Sequence, residues 1–129
     1  MSAPLKLGQS AMTQRVFSAQ DAVELHTLTG APLTDNVVPE ALINGLFSYL
    51  LGVDLPGEGT NYLKQETRFL APAPLGEPLT ARVEITRLRP DKQLVDLATT
   101  CVTTRGQTIA EGRALVLARD VAGAFDNRP

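Results

Sequence analysis

Residues 39–52 read PEALINGLFSYLLG, and this stretch decides the fold. It predicts one helix, because proline fits a first helical turn and glycine ends a helix. Apolar side chains occupy almost its whole circumference: Ala41, Leu42, Ile43, Leu46, Phe47, Tyr49, Leu50 and Leu51. A helix about 20 Å long with so little polar surface must be enclosed by other elements. We expect a sheet that curls around this helix, with Tyr49 in the core.

Four apolar, mostly alternating segments follow the helix and predict that sheet. They span residues 61–70, 78–88, 93–104 and 108–118. In the second segment every other residue from 79 to 85 is apolar, which is typical of a strand with one solvated face. Short connections predict antiparallel neighbours, so we expect the four strands to form a meander in chain order.

Upstream of the central helix the chain predicts a strand and a second, shorter helix. Residues 11–17 alternate as a strand does. Ser18 and Asp21 are spaced as in a capping box, which predicts the start of a helix over residues 19–28. Gly30 is a natural end for this helix.

These elements predict a single α+β domain over residues 1–129, in which an antiparallel sheet wraps around a buried helix. This is the hot-dog fold. Residues 120–129 have little to bury, so we expect a flexible tail that only Phe125 can hold down. A single sheet leaves long open edges, and a dimer that pairs them is the expected unit.

Composition narrows the possible partners and the compartment. A formal net charge of −2 gives no electrostatic reason to expect a nucleic acid. Because Cys101 is the only cysteine in the sequence, an internal disulfide and a cysteine-rich metal site are excluded. Cys101 lies in a predicted strand and is expected in the core. His26 is the only histidine and is expected to be structural. Since neither a signal peptide nor a membrane span is predicted, we expect a cytoplasmic protein.

Four stretches carry a resemblance to a known family: FSAQDAVELHTLTG, VVPEALINGLFSYLLG, GTNYLKQETRFLAPAPLGEPLTARVEITRLR and GQTIAEGRALVLA. They are similar to the first helix, the central helix, the next two strands and the last strand of the MaoC-like hydratases. This hot-dog family includes the (R)-specific enoyl-CoA hydratases. The resemblance implies that the chain adds or removes water across the 2,3 double bond of an acyl thioester on coenzyme A or a carrier protein. It also implies a tunnel at a dimer interface and no cofactor besides the thioester.

The match departs from the family pattern in the loop after the first helix. There the family carries an aspartate and a histidine in a Gly-Asp-x-Asn-Pro-x-His motif, whereas this chain reads GAPLTDN over residues 30–36. On a gapless match Ala31 stands for the aspartate and Asn36 for the histidine. The following segment is shortened, and Pro39-Glu40 replaces the usual His-Gly at the helix start.

Three functional hypotheses place their chemistry at this loop. In the first, a hydratase or dehydratase uses Asp35 or Glu40 as base while Asn36 orients water. In the second, a thioesterase pairs Glu40 with Asn36 or Asn44, and the helix N-terminus offers amides to the thioester oxygen. In the third, the chain is a non-catalytic subunit of a heterodimer whose other hot-dog chain supplies the acid and base. The implied substrate-binding residues are Ala41, Leu42 and Asn44.

Each of these residues also has a purely structural interpretation. Asp35 and Asn36 are typical of turns, and Glu40 suits the positive end of a helix dipole. Asn44, inside an apolar helix, must find hydrogen bonds either from the backbone or from a ligand.

Overall fold

The computed structural model describes residues 4–30 and 32–125. Its elements are, in chain order, β1 (Ser10–Val16), α1 (Ala19–Thr29), α2 (Glu40–Tyr49), a π-helical turn (Leu50–Asp54), β2 (Asn61–Phe69), β3 (Pro78–Arg89), β4 (Leu94–Thr103) and β5 (Thr108–Leu117). Every predicted helix and strand is present, with ends shifted by at most three residues. The α+β class is therefore confirmed.

The sheet has five antiparallel strands in the order β1-β3-β4-β5-β2. The predicted four-strand meander was wrong for β2, which pairs with β5 and not with β3. Its connection to β3, residues 70–77, is too long for a tight hairpin and contains two prolines that cannot donate to a ladder. Two bonds hold this connection across the start of α2: the Val38 amide donates to the Ala73 carbonyl at 2.8 Å, and the Leu75 amide donates to the Asn36 carbonyl at 3.0 Å.

The sheet encloses α2 on one side and leaves the other side open. Ile43, Phe47 and Leu50 are fully buried against the sheet, and such side chains each contribute about 1.5–3 kcal/mol. Tyr49 was expected in the core, but its side chain is 51% exposed. Tyr49 lies two helical turns after Ala41 on the face turned away from the sheet, and a single sheet cannot cover both faces.

Local signals in α1 and in the tail are also visible in the structure. Ser18 and Asp21 form the predicted capping box, and Gly30 ends α1 in the left-handed conformation with φ 73°. Phe125 is buried, and the Leu5 amide donates to the Ala124 carbonyl at 2.8 Å. Residues 120–125 therefore pack on the domain, while the end of the predicted tail, residues 126–129, lies outside the described residues.

Cys101 lies in the core, as the sequence predicted. Cys101 is fully buried on β4, and this burial raises the pKa of its thiol to about 11. Across residues 4–30 and 32–125, no three His, Cys, Asp or Glu side chains are grouped so that they could hold a metal ion. None of the helices described is long and apolar enough to cross a bilayer.

Candidate functional site

The start of α2 leaves backbone amides without partners. Pro39 occupies the N-cap position of α2, where its side chain offers no hydrogen-bond acceptor, and α2 has no side-chain cap among the described residues. The Leu42 amide donates to the Pro39 carbonyl at 3.0 Å. The amides of Glu40 and Ala41 precede the first intrahelical bond and remain available to an external oxygen. This end of the helix also carries the positive end of the dipole, which favours an anion or an oxyanion.

Glu40, an exposed residue at the start of α2, lines two clefts. The first has a volume of about 370 Å³ and the second about 340 Å³. Both are lined by Thr34, Val37, Val38 and Glu40; Ala41 and two prolines complete the first, and residues 69–73 with Ile43 complete the second. Among the described residues that line the two clefts, Glu40 alone has an ionisable side chain. A carboxylate between apolar walls and beside free amides can take up and return a proton next to a polarised carbonyl.

Asp35 and Asn36 lie in a tight turn just before this site, and neither lines the two clefts. The turn is closed by the Val37 amide, which donates to the Thr34 carbonyl at 3.2 Å. Asn36 has φ 59°, a left-handed conformation that asparagine tolerates better than most residues. The pair thus has the turn role that its residue types predict, and a catalytic role for either residue stays a prediction. Ala31 lies outside the described residues.

The sequence predicted that Asn44 would find its hydrogen bonds from the backbone or from a ligand. The bond that the structure shows is instead to a side chain of β2. The Thr67 hydroxyl donates to Asn44 Oδ1 at 2.9 Å, in a partly buried contact. One helical turn later, the Tyr62 hydroxyl donates to the Ser48 carbonyl at 2.9 Å. Through these two contacts β2 lies antiparallel to α2. Phe69, the last residue of β2, lies beside the second cleft. Sequence reasoning missed Thr67, although a polar residue on the inward face of a strand was a signal for a partner of Asn44.

A third and larger cavity, which we call the helix groove, lies between β1, α1 and the open face of α2. Its volume is about 590 Å³. Its lining residues are Thr13, Arg15, Phe17, Asp21, Glu24, Leu25, Leu28, Ala41, Leu42, Gly45, Leu46 and Tyr49. Ala41 lines both this groove and the first cleft beside Glu40. The predicted substrate-binding residues Ala41 and Leu42 therefore face open space, whereas Asn44 lines none of these three cavities.

Charged side chains stand on the β1 and α1 walls of the groove. The Ser18 amide donates to Asp21 at 2.8 Å, and this bond holds the pKa of the Asp21 carboxyl below its usual value. The Arg15 guanidinium lies 5.3 Å from the centre of the Phe17 ring. A cation over an aromatic face is a favourable contact that here keeps both side chains on the groove wall.

Comparison with known proteins finds relatives among the enoyl-CoA hydratases. No protein-family model matches the chain. Two curated relatives, from Rhodospirillum rubrum and Aeromonas caviae, are both named (R)-specific enoyl-CoA hydratase and are each 42% identical to it. The matches cover 57% and 62% of this chain, and 50% and 60% of the relatives. The chain thus spans about half to three fifths of the length of these curated relatives.

A solved structure extends the similarity to the whole fold. The (R)-hydratase from A. caviae involved in PHA biosynthesis superposes with a TM-score of 0.82 and is 33% identical. The superposition covers 87% of this chain and 96% of that chain. The hot-dog architecture that the sequence predicted is confirmed by this match.

Proposed function

Because the chain belongs to the MaoC-like hydratases, the hot-dog family that includes the (R)-specific enoyl-CoA hydratases, we propose that it adds water to, or removes it from, an acyl thioester. The substrate is a 2-enoyl or a 3-hydroxyacyl group on coenzyme A or a carrier protein. One observation carries the proposal: Glu40 lines both clefts and lies beside the unpartnered amides at the start of α2. The reaction uses the thioester and water and needs no other cofactor.

A single carboxylate can perform both proton transfers of this reaction. Glu40 takes a proton from water while the oxygen of that water bonds to C3, and the C2–C3 π electrons move through the thioester onto its oxygen. The resulting enolate oxygen accepts hydrogen bonds from the Glu40 and Ala41 amides. The protonated Glu40 then returns its proton to C2 as the carbonyl re-forms. The sum is one water added, and dehydration is the same path in reverse.

Glu40 supports this assignment better than the preceding loop does. Asp35 lies in the exposed turn outside both clefts, and Asn36 has no titratable proton to exchange. The apolar lining of the clefts excludes water around Glu40 once a thioester is bound, which strengthens the amide contacts to the enolate. Asn44 supports the site indirectly, since its bond to Thr67 fixes the helix against β2.

The test is turnover of crotonyl-CoA, followed by loss of the enoyl absorbance. Glu40→Gln keeps the shape of the site but removes the proton acceptor, so we expect kcat to fall by about 10²–10⁴-fold. Asp91→Asn, a matched loss of one carboxylate in the exposed turn between β3 and β4, should leave the rate unchanged. Asp35→Asn tests the other acidic residue that the sequence singled out.

Other outcomes would point to the remaining hypotheses. Undiminished hydration by Glu40→Gln would overturn the assignment of this residue. Release of free thiol from butyryl-CoA, without hydration of crotonyl-CoA, would show a thioesterase instead. No turnover alone, but turnover after addition of a second hot-dog chain, would show a non-catalytic subunit.

We further propose that the chain forms a homodimer through the free edge of β2. Among the described residues this strand pairs with β5 alone. Leu63 within the strand and Leu70 just after it are 54% and 49% exposed. Its outward side chains alternate in charge, as Lys64, Glu66 and Arg68. An isologous antiparallel pair places one residue opposite its own copy. If the two-fold axis passes through Gln65, Lys64 lies opposite Glu66 of the second copy. If the axis passes through Thr67, Glu66 lies opposite Arg68 of the second copy. Centring on any of the three charged residues brings like charges together.

This edge would also bring the second copy next to the site, because Phe69 at the end of β2 lines the second cleft. The cytoplasm is the compartment we propose, since a lone buried Cys101 suits a reducing environment.

A further inference from the structure

We propose that Thr34 is a second catalytic residue, whose hydroxyl holds the water that adds to C3 of the thioester. In the reverse direction the same hydroxyl holds the 3-hydroxyl group of the substrate. The inference deepens the proposed function and rests on Glu40 being the base.

Thr34 and Glu40 are the two polar side chains at the site. Each of them lines both clefts. Every other described residue that lines either cleft is a proline, alanine, valine, isoleucine, leucine or phenylalanine. In an apolar site of this kind, the few polar groups decide how a bound molecule is oriented. A water molecule in these clefts therefore has two side chains that can fix its orientation, and Thr34 is one of them.

The backbone fixes the position of Thr34. Its carbonyl accepts a hydrogen bond from the Val37 amide at 3.2 Å, which closes the turn. The far end of this turn is attached to the connection between β2 and β3: Val37 forms a β-bridge with Pro74, and the Val38 amide donates to the Ala73 carbonyl at 2.8 Å. Threonine is also stiff about its first side-chain torsion. Its hydroxyl is therefore positioned before substrate binds, which lowers the cost of orienting a reactant.

Two hydrogen-bond acceptors are what the attacking water needs. Glu40 accepts one hydrogen of the water and takes that proton, while Thr34 Oγ1 accepts a hydrogen bond from the other hydrogen. With both hydrogens held, a lone pair of the water oxygen points at C3. As the oxygen bonds to C3, the O–H bond facing Glu40 breaks and the O–H bond facing Thr34 is kept as that of the new 3-hydroxyl group. Thr34 neither gains nor loses a proton.

The first test is the rate of crotonyl-CoA hydration by Thr34→Val and Thr34→Ser. Valine has the shape of threonine without the hydroxyl, so kcat should fall by about three- to tenfold, the usual effect of losing one hydrogen bond. KM should change by less than about twofold, because Thr34 contacts the water and not the thioester. Thr34→Ser keeps the hydroxyl and should retain most of kcat. Thr104→Val, the same change in the exposed turn between β4 and β5, should match the wild type.

Two kinetic results would overturn the proposal. One is a kcat for Thr34→Val within about twofold of the wild type. The other is an equal loss of kcat in Thr34→Ser and Thr34→Val, since a hydroxyl at this position should rescue the rate.

The second test measures binding without turnover. Glu40→Gln, which should dehydrate its substrate only slowly, is titrated in a calorimeter with 3-hydroxybutyryl-CoA and with butyryl-CoA, which differ only in the 3-hydroxyl group. Adding Thr34→Val should weaken binding of 3-hydroxybutyryl-CoA by about three- to tenfold and that of butyryl-CoA by less than about twofold. Equal weakening of both would place the Thr34 hydroxyl on the thioester, and no weakening would mean that it contacts neither. Either result overturns the proposal.

Failure of this inference can be told apart from failure of the proposed function. If the wild type hydrates crotonyl-CoA and Glu40→Gln does not, but Thr34→Val is as fast as the wild type, the role of Thr34 is wrong and the proposed function stands. If the wild type hydrates nothing, but Thr34→Val still removes the preference for 3-hydroxybutyryl-CoA, the contact to the 3-hydroxyl group stands and the proposed reaction is wrong.

Discussion

Gly112→Ala adds only one methyl group, but it should lower the free energy of unfolding by more than this small change in volume suggests. Gly112 on β5 lies in register between Thr67 of β2 and Thr99 of β4. An added Cβ would be 2.9 Å from the Thr67 Cα and would clash with the Glu66 carbonyl oxygen, whereas real Cβ atoms are essentially never closer than 3.0 Å to a neighbour. The obstructing atoms are backbone, so no change of rotamer can relieve the contact.

The magnitude follows from what must move. Overpacking a filled site costs about 1–3 kcal/mol. Shifting β2 away from β5 also weakens backbone hydrogen bonds worth about 1 kcal/mol each. We therefore expect a loss of about 3–4 kcal/mol in the free energy of unfolding and, at roughly 3 °C per kcal/mol for a chain of this size, a fall in Tm of about 10 °C. Because β2 carries Thr67, its bond to Asn44 should weaken as well.

Urea and thermal denaturation followed by far-UV circular dichroism provide the assay, with Gly45→Ala as the control. At Gly45 an added Cβ meets nothing within 4 Å, and alanine is favoured over glycine in a helix by about 1 kcal/mol. The same substitution should thus raise Tm at Gly45 and lower it at Gly112. A Tm for Gly112→Ala within about 2 °C of the wild type would refute the close approach of β2 to β5.

Three further perturbations test other contacts. Glu66→Lys should dissociate the homodimer, as measured by size-exclusion chromatography with light scattering. If the two β2 strands pair with the two-fold axis at Gln65, the double variant Lys64→Glu/Glu66→Lys should form the dimer again, and failure to do so excludes that register. Thr67→Val removes the donor to Asn44 Oδ1 and should cost about 1–2 kcal/mol in urea denaturation, whereas an unchanged midpoint would mean that the bond does not contribute. Burial raises the pKa of the Cys101 thiol to about 11, so this thiol should not react with a disulfide reagent in the native protein at about pH 8, and rapid labelling would contradict this. For the same reason, the free energy of unfolding should fall as the pH rises from about 9 towards 11.

Much of the candidate site was visible in the sequence because its signals are local. Glu40 and Ala41 follow Pro39, and the position of a proline defines which amides at a helix start lack partners. Asp35 and Asn36 were correctly predicted to suit a turn, and the structure places them in one.

The parts that the sequence did not predict depend on residues far apart in the chain. Thr67 is 23 residues from Asn44, and only the pairing of β2 with β5 brings the two together beneath α2. The helix groove likewise requires that α1 lie across from the open face of α2. An all-round apolar helix predicts burial, but it does not show which face a curved sheet leaves open.

By itself, then, the sequence determined the helix at residues 39–52, the cap at Ser18, the alternation of the strands and the hot-dog class, because propensity, capping and periodicity act over a few residues. Only the tertiary structure decided the position of β2, the exposure of Tyr49 and the meeting of Glu40 with two clefts. These features arise where a sheet of fixed twist closes around one helix, and the side that remains open follows from that global geometry and not from any single stretch of residues.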